Sequence, residues 1–247
     1  MIIYKSPREI EKIRAAGQIL ARTLKLLSEN IRPGVTTAEL DRIADDFIRA
    51  NKAKPSFKGY NGFPASICTS IDEEVVHGLP GKRRLLEGQV IGIDIGVYLN
   101  GYHSDAAFTF PVGKIDKDSE KHLRIGQECL EKAIEAAQPG GYLGDISWAV
   151  QEHAEKNGYS VVRDLVGHGI GQSMHEEPQV PNYGKPGTNI VLKPGLVIAI
   201  EPMINAGGYQ VRILKDNWTI VTADGARSVH FEHTVAITED GPVILTK

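Results

Sequence analysis

The sequence predicts an α+β fold of two pseudo-symmetric halves, each with helices packed on an antiparallel sheet. Three observations carry this expectation. An amphipathic helix pair opens each half, the punctuation after each helix recurs at a nearly constant offset, and strand-like segments follow both pairs. With Pro33-Gly34 aligned on Pro139-Gly140, Glu39-Leu40 falls on Asp145-Ile146 and Asn51 on Asn157. Further along, residues 86–94 match residues 192–201 with almost the same offset. The 247 residues then form a single domain built from an internal pseudo-repeat, approximately residues 1–117 and 118–247. Related halves tend to pack about an approximate two-fold axis, with a cleft where their sheets meet.

Each element has a local reason. Ser6-Pro7-Arg8-Glu9 has the form of a helix start: Ser6 caps, Pro7 suits the first helical position, and Glu9 completes a capping box. Ile10, Ile13, Gly17, Leu20, Leu24 and Leu27 then recur at helical spacing as one apolar stripe, and Arg32-Pro33-Gly34 stops it. Thr36 with Glu39 opens a second amphipathic helix that ends near Asn51. In the second half a helix from about Ser119 stops at Gln138-Pro139-Gly140, and another runs to Asn157-Gly158. Residues 90–109 read as a hairpin turning at Asn100-Gly101, a type I′ signal. Pairing outward from that turn sets Gly96 opposite Asp105 and Asp94 opposite Ala107, so the two aspartates share one face as diagonal neighbours.

Composition narrows the classes. A formal net charge of -3 and a pI near 6.3 give no basic surplus for nucleic acid or anionic lipid. Two cysteines, Cys68 and Cys129, are too few for a disulfide framework and read as reduced thiols. The N-terminal residues carry no signal-peptide core, and no apolar run approaches the ~20 residues of a membrane span. A soluble, cytoplasmic protein is expected, monomeric by default.

The carboxylates point to chemistry. Asp94 and Asp105 on one apolar face would repel by about 4 kcal/mol at ~4 Å and an effective dielectric near 20, a cost that a divalent cation turns into binding energy. Glu201 ends the apolar run of residues 196–200, and Glu232 lies in the strand-like segment of residues 229–237. A glutamate in a buried strand needs a partner; Arg212 or Arg227 would serve one, whereas a shared metal explains both. His168, set among glycines in a segment read as a flexible loop, is a further ligand candidate, and His77 is read in the same way. Four carboxylates and a neutral imidazole balance two divalent ions, and the oxygen-rich set suits manganese, iron or cobalt better than a thiolate zinc site. The residues alone support a two-metal hydrolase without naming its substrate.

His77, Asp94, Asp105, the HGIG segment at His168, IEPM at Glu201 and HFEHT at Glu232 together resemble the type I methionine aminopeptidases of metallopeptidase family M24, in the bacterial form without an N-terminal extension. The resemblance spans nearly the whole chain and implies the pita-bread fold. It also implies removal of the N-terminal methionine from nascent proteins with a small second residue preferred, a two-metal activated hydroxide attacking the scissile carbonyl. Asp94, Asp105, His168, Glu201 and Glu232 are then the metal ligands, with Asp105 and Glu232 bridging, and Glu201 also moves a proton to the leaving amine. His175 contacts the scissile carbonyl and steadies the oxyanion, and His77 positions the peptide. Tyr60, Phe63, Cys68, His77 and Trp218 form the methionine pocket, with Phe57 and Met174 at its edge. Phe57 departs from a cysteine found in some relatives, and Met174 from a common aromatic. The implied ions are two of Co2+, Mn2+, Fe2+ or Zn2+, with a monovalent cation near residues 72–74 and Ser228. The implied partners are N-terminal methionine peptides and nascent chains, with transient association with the ribosome.

Overall fold

The computed structural model of the protein describes residues 1–247. Helix α1 (Pro7–Ser28) begins at the expected capping box, where Glu9 Oε2 accepts from the Ser6 backbone N–H at 2.8 Å and its hydroxyl at 2.7 Å. All six residues of the predicted stripe are buried. Helix α2 (Thr37–Ala50) opens on the reciprocal Thr36–Glu39 box and is capped by Asn51. The two helices cover a sheet made of β1 (Lys54–Pro55), β2 (Cys68–Ile71), β4 (Val90–Leu99) and β5 (Tyr102–Pro111), while the short β3 (Glu74–Val76) leaves it. Their shared core includes Leu20, Leu27, Leu40, Ile48, Ile91, Ile93 and Ile95.

In the second half α3 (Lys117–Ala136) and α4 (Leu143–Lys156) are followed by β6 (Ser160–Val161), β7 (Val166–Gly169), β8 (Glu176–Pro181), β9 (Val197–Ile200) and β10 (Met203–Asn205). The chain ends with β11 (Val211–Ile213), β12 (Ile220–Thr222), β13 (Ser228–His230), β14 (His233–Thr238) and β15 (Gly241–Ile244). The main sheet here runs β15-β14-β9-β7-β8, and β3 of the first half pairs with β12. The offset seen in the sequence recurs in hydrogen bonds. Asn51 Nδ2 donates to Phe47 O and Asn157 Nδ2 to His153 O, while Gly34 N donates to Leu85 O and Gly140 N to Leu192 O.

The hairpin register is the predicted one, with Asp94 opposite Ala107, Gly96 opposite Asp105, and positive φ at Asn100 and Gly101. Two local expectations need correction. Residues 166–169 form a strand, not a flexible loop: a Cβ on Gly167 would overlap Ala199 O and one on Gly169 would overlap Glu177 O, so these glycines serve close backbone packing. Glu232 lies in a break between β13 and β14, because its backbone N–H leaves the sheet to donate to Ala107 O at 2.7 Å.

That bond belongs to a seam between the halves. Thr109 Oγ1 exchanges hydrogen bonds with the backbone of His230, donating to its O and accepting from its N, both at 2.9 Å. Thr234 Oγ1 in turn accepts from Asp105 N at 2.9 Å and donates to Asp105 O at 2.7 Å. Alternate residues of β5 thus meet alternate residues of the second half.

Helix α1 packs against the chain just after β15 with no space between: a Cβ on Gly17 would overlap the backbone carbonyl of Leu245 and lie 3.1 Å from Ser104 Oγ. Backbone cannot swing aside as a side-chain end can, so Gly17→Ala should cost about 1–3 kcal/mol in urea unfolding despite the better helix propensity of alanine.

Candidate metal centre and its pocket

The cleft gathers its acids from both halves. Asp94 comes from β4 and Asp105 from β5, Glu201 follows β9, and Glu232 sits at the β13–β14 break. One ligand atom each of Asp105, His168 and Glu232 lies within 4.8 Å of the others. His168 Nε2 is 3.7 Å from Glu201 Oε1 and 3.9 Å from Asp105 Oδ2. Asp105 and Glu232 are buried, and Asp94 and Glu201 are half-buried.

The electrostatics are one-sided. No lysine or arginine lines the cavity. Arg227 is engaged by Asp72 and Asp116, and Arg212 is exposed, so neither pairs with the glutamates. Desolvation pushes the Asp105 and Glu232 carboxyls well above the usual range, and their acidic neighbours push further. Asp94 and Glu201 rise for the same first reason, loss of water. Asp94 Oδ1, Asp105 Oδ1 and Glu232 Oε1 are buried without a hydrogen-bond partner, a costly arrangement unless something else meets them.

His168 turns a free ring nitrogen toward the acids. Its Nδ1 is 2.9 Å from Gly169 O, which fixes the proton there and leaves the Nε2 lone pair facing the carboxylates. Burial, then neighbouring His175, lowers its pKa to about 3, so the ring is neutral. A neutral imidazole donor, four acids and three orphaned oxygens fit a divalent metal site.

Beside this cluster is a cavity of about 180 Å³. Phe57, Phe63, Cys68 and Met174 pack as one apolar group with Trp218 against it, and the Phe63 and Trp218 rings meet edge-on at 5.1 Å. Cys68 is paired with Asp94 across β2 and β4, which places a soft side chain next to the acids. The His175 ring lies 4.3 Å from that of His168, and its Nδ1 is 2.8 Å from the Tyr60 hydroxyl. His77 follows β3 with φ of 59°, a strained value for a residue with a side chain. Burial, followed by His230 and His175, brings its pKa down to about 4.

Every site residue named from the sequence lines this one cavity, and Asn61 joins them. His230 was also missed: it is buried, its Nε2 has no hydrogen-bond partner, and that atom is 3.5 Å from Glu201 Oε2. Strand alternation from Glu232 would have found it, since residues two apart share a face. A larger groove of about 600 Å³, lined by Leu24, Phe108, Phe110 and Ile134 among others, contains none of the predicted residues. Near residues 72–74 the side chains are already engaged. Asp72 accepts from Gln89 and Val90, Glu74 pairs with Arg83, and Ser228 Oγ donates to Asn205 at 2.8 Å.

Residues 11–239 match metallopeptidase family M24. Methionine aminopeptidase 1 of Bacillus subtilis (strain 168) is 55% identical over 247 residues, covering 100% of both chains. The solved methionine aminopeptidase of Rickettsia prowazekii superposes with a TM-score of 0.99 at 41% identity, and that of Thermotoga maritima with 0.98 at 46%, each with full coverage of both chains. The architecture is the pita-bread fold shared by these structures.

If the orphaned acids await a cation, Mn2+ added to chelator-stripped protein should raise its melting temperature. At 100 times the Kd the gain is about 2.7 kcal/mol. Asp105→Asn should abolish most of that gain, and an unchanged melting temperature in the native sequence would count against the site.

Proposed function

The chain belongs to metallopeptidase family M24, and on that premise we propose that it is the methionine aminopeptidase that removes the initiator methionine from nascent cytoplasmic proteins. The observation carrying this reading is the junction of two features in one cavity: an acid cluster with no lysine or arginine and an apolar, sulfur-tolerant pocket beside it. End-to-end matches to proteins of that name support it.

Asp94, Asp105, His168, Glu201 and Glu232 would hold two divalent ions, which supply charge for polarising the scissile carbonyl and lowering the pKa of an attacking water. Manganese, iron and cobalt suit the oxygen-rich donors best. Phe63, Trp218, Phe57, Met174 and Cys68 take the methionine side chain, whose thioether is favourably placed against aromatic edges. Tyr60 stands at the mouth and holds the His175 ring through Nδ1, leaving Nε2 to donate to the carbonyl oxygen as charge develops on it. His77 positions the peptide.

Glu201 is the group placed to move a proton. Its carboxyl lies between His168 and His230, 3.7 Å and 3.5 Å from their Nε2 atoms, where a carboxylate can act as a general base. It takes the proton from the attacking water and delivers it to the leaving amine. The rest of the substrate leaves through a second cavity of about 550 Å³, which shares His77, His168, His175 and Glu201 and runs past Asp164 and Glu177. The resemblance to the family supports a preference for a small second residue.

Metal-loaded protein should release free methionine from a Met-Gly-Met peptide and leave Ala-Pro and Gly-Pro peptides intact. Cleavage of the proline peptides instead would move the assignment to proline-specific peptidases of this fold. Glu201→Gln should retain the fold and lose about a hundredfold or more in kcat. His175→Ala should lower kcat more than it raises KM, and near-normal turnover in either variant would remove the role given to that residue.

A further inference from the structure

We propose that Lys5 is a positioning residue for His175: its ammonium, buried in an ion pair with Glu176, fixes the loop that presents the His175 ring to the substrate. This rests on the reading of His175 given above. Lys5 Nζ lies 2.6 Å from Glu176 Oε2 and 3.0 Å from Ile3 O, and the two side chains are only 2% and 6% exposed. Its own backbone N–H donates to Gly195 O at 2.7 Å, which straps the N-terminal segment onto the second half just ahead of β9.

The loop has no regular structure of its own to hold it. Between Gly171 and His175 the chain is a series of bends, and His175 itself is exposed. What restrains it comes from outside. Glu176 Oε1 accepts from Ser173 N at 3.1 Å, so the carboxylate gripped by Lys5 also closes the turn preceding His175. Gln172 Nε2 donates to the Tyr102 hydroxyl at 3.1 Å, and that hydroxyl donates to Glu9 Oε1 at 2.9 Å. The His103 backbone N–H donates to Gly171 O at 2.8 Å. The first ten residues therefore grip the loop twice, directly through Lys5 and by way of Tyr102 through Glu9.

Gly171 packs directly on the ion pair. A Cβ there would lie 2.7 Å from both Glu176 Oε1 and Lys5 Cε, so a side chain at this position would press on both members of the pair. A buried ion pair is poor value as a source of stability, because apolar groups of the same shape serve as well or better. It does supply direction: a charge-assisted hydrogen bond has one short geometry, and an apolar contact has many. Direction is what a ring needs if it is to meet a developing oxyanion.

The test is a kinetic cycle on the Mn2+-loaded enzyme with Met-Gly-Met as substrate, comparing Lys5→Met, His175→Ala and the double variant. Lys5→Met should lower kcat about tenfold and leave KM within about threefold, and in the His175→Ala background its further effect should shrink below about twofold. Gly171→Ala should reproduce the kcat loss, and Lys5→Arg should recover part of it. Losses that multiply in the double variant, or wild-type kcat in Lys5→Met with only a lower melting temperature, would overturn the inference. Should Lys5→Met fail to fold, Glu176→Gln keeps the shape and carries the same cycle with the same criteria. A His175→Ala enzyme with wild-type kcat removes the reading of His175 and this inference with it. A slowed His175→Ala with an independent Lys5→Met effect removes this inference alone.

Discussion

Four carboxylates share a cleft that contains no lysine or arginine, and much of the structure follows from that constraint. Acids withdrawn from water either protonate or find a cation, and nothing in the protein provides one. The imidazoles around them are kept uncharged by burial, His168 and His77 most clearly, so they cannot substitute as counterions. The cluster is thus suited to a cation from outside the chain, and the surrounding fold has to hold the acids in place for it.

The seam between the halves does the holding. Asp105 is clamped through both its backbone groups by Thr234, and Glu232 is fixed by the Ala107 carbonyl. The elements that orient the acids are therefore the ones that join the two halves. The cost of crowding like charges is borne by backbone hydrogen bonds and by the cores on either side, where Leu20, Leu27, Ile198 and Val235 are fully buried. The small β3-β12 pairing adds a flank: His77 follows one strand and Trp218 precedes the other, so a first-half and a second-half residue close the pocket together.

Much of this was legible in the sequence because it depends on short-range rules. The Asn100-Gly101 turn fixes the hairpin register residue by residue, and with it the juxtaposition of Asp94 and Asp105. Capping boxes at Ser6 and Thr36 fix where the first two helices start. Residues such as Phe57, Met174 and Trp218 are apolar side chains with no periodic signature of function, and only resemblance marked them as pocket. What local reasoning misread was tertiary. Gly167 and Gly169 looked like hinges, since nothing nearby in sequence tells of the Ala199 and Glu177 carbonyls that crowd them. The strand break at Glu232 is imposed by Ala107, more than a hundred residues away in the chain, and a run of β-branched and aromatic residues gives no hint of it.

The seam also has a consequence in time. Asp94 and Asp105 are synthesised early, but His168, Glu201 and Glu232 come later, and Thr234, which clamps Asp105, comes later still. A partial product that stops short of His168 carries only Asp94 and Asp105 of the five candidate ligands. The full donor set is therefore present only once the chain has been made through Glu232, and the clamp on Asp105 only once Thr234 has followed.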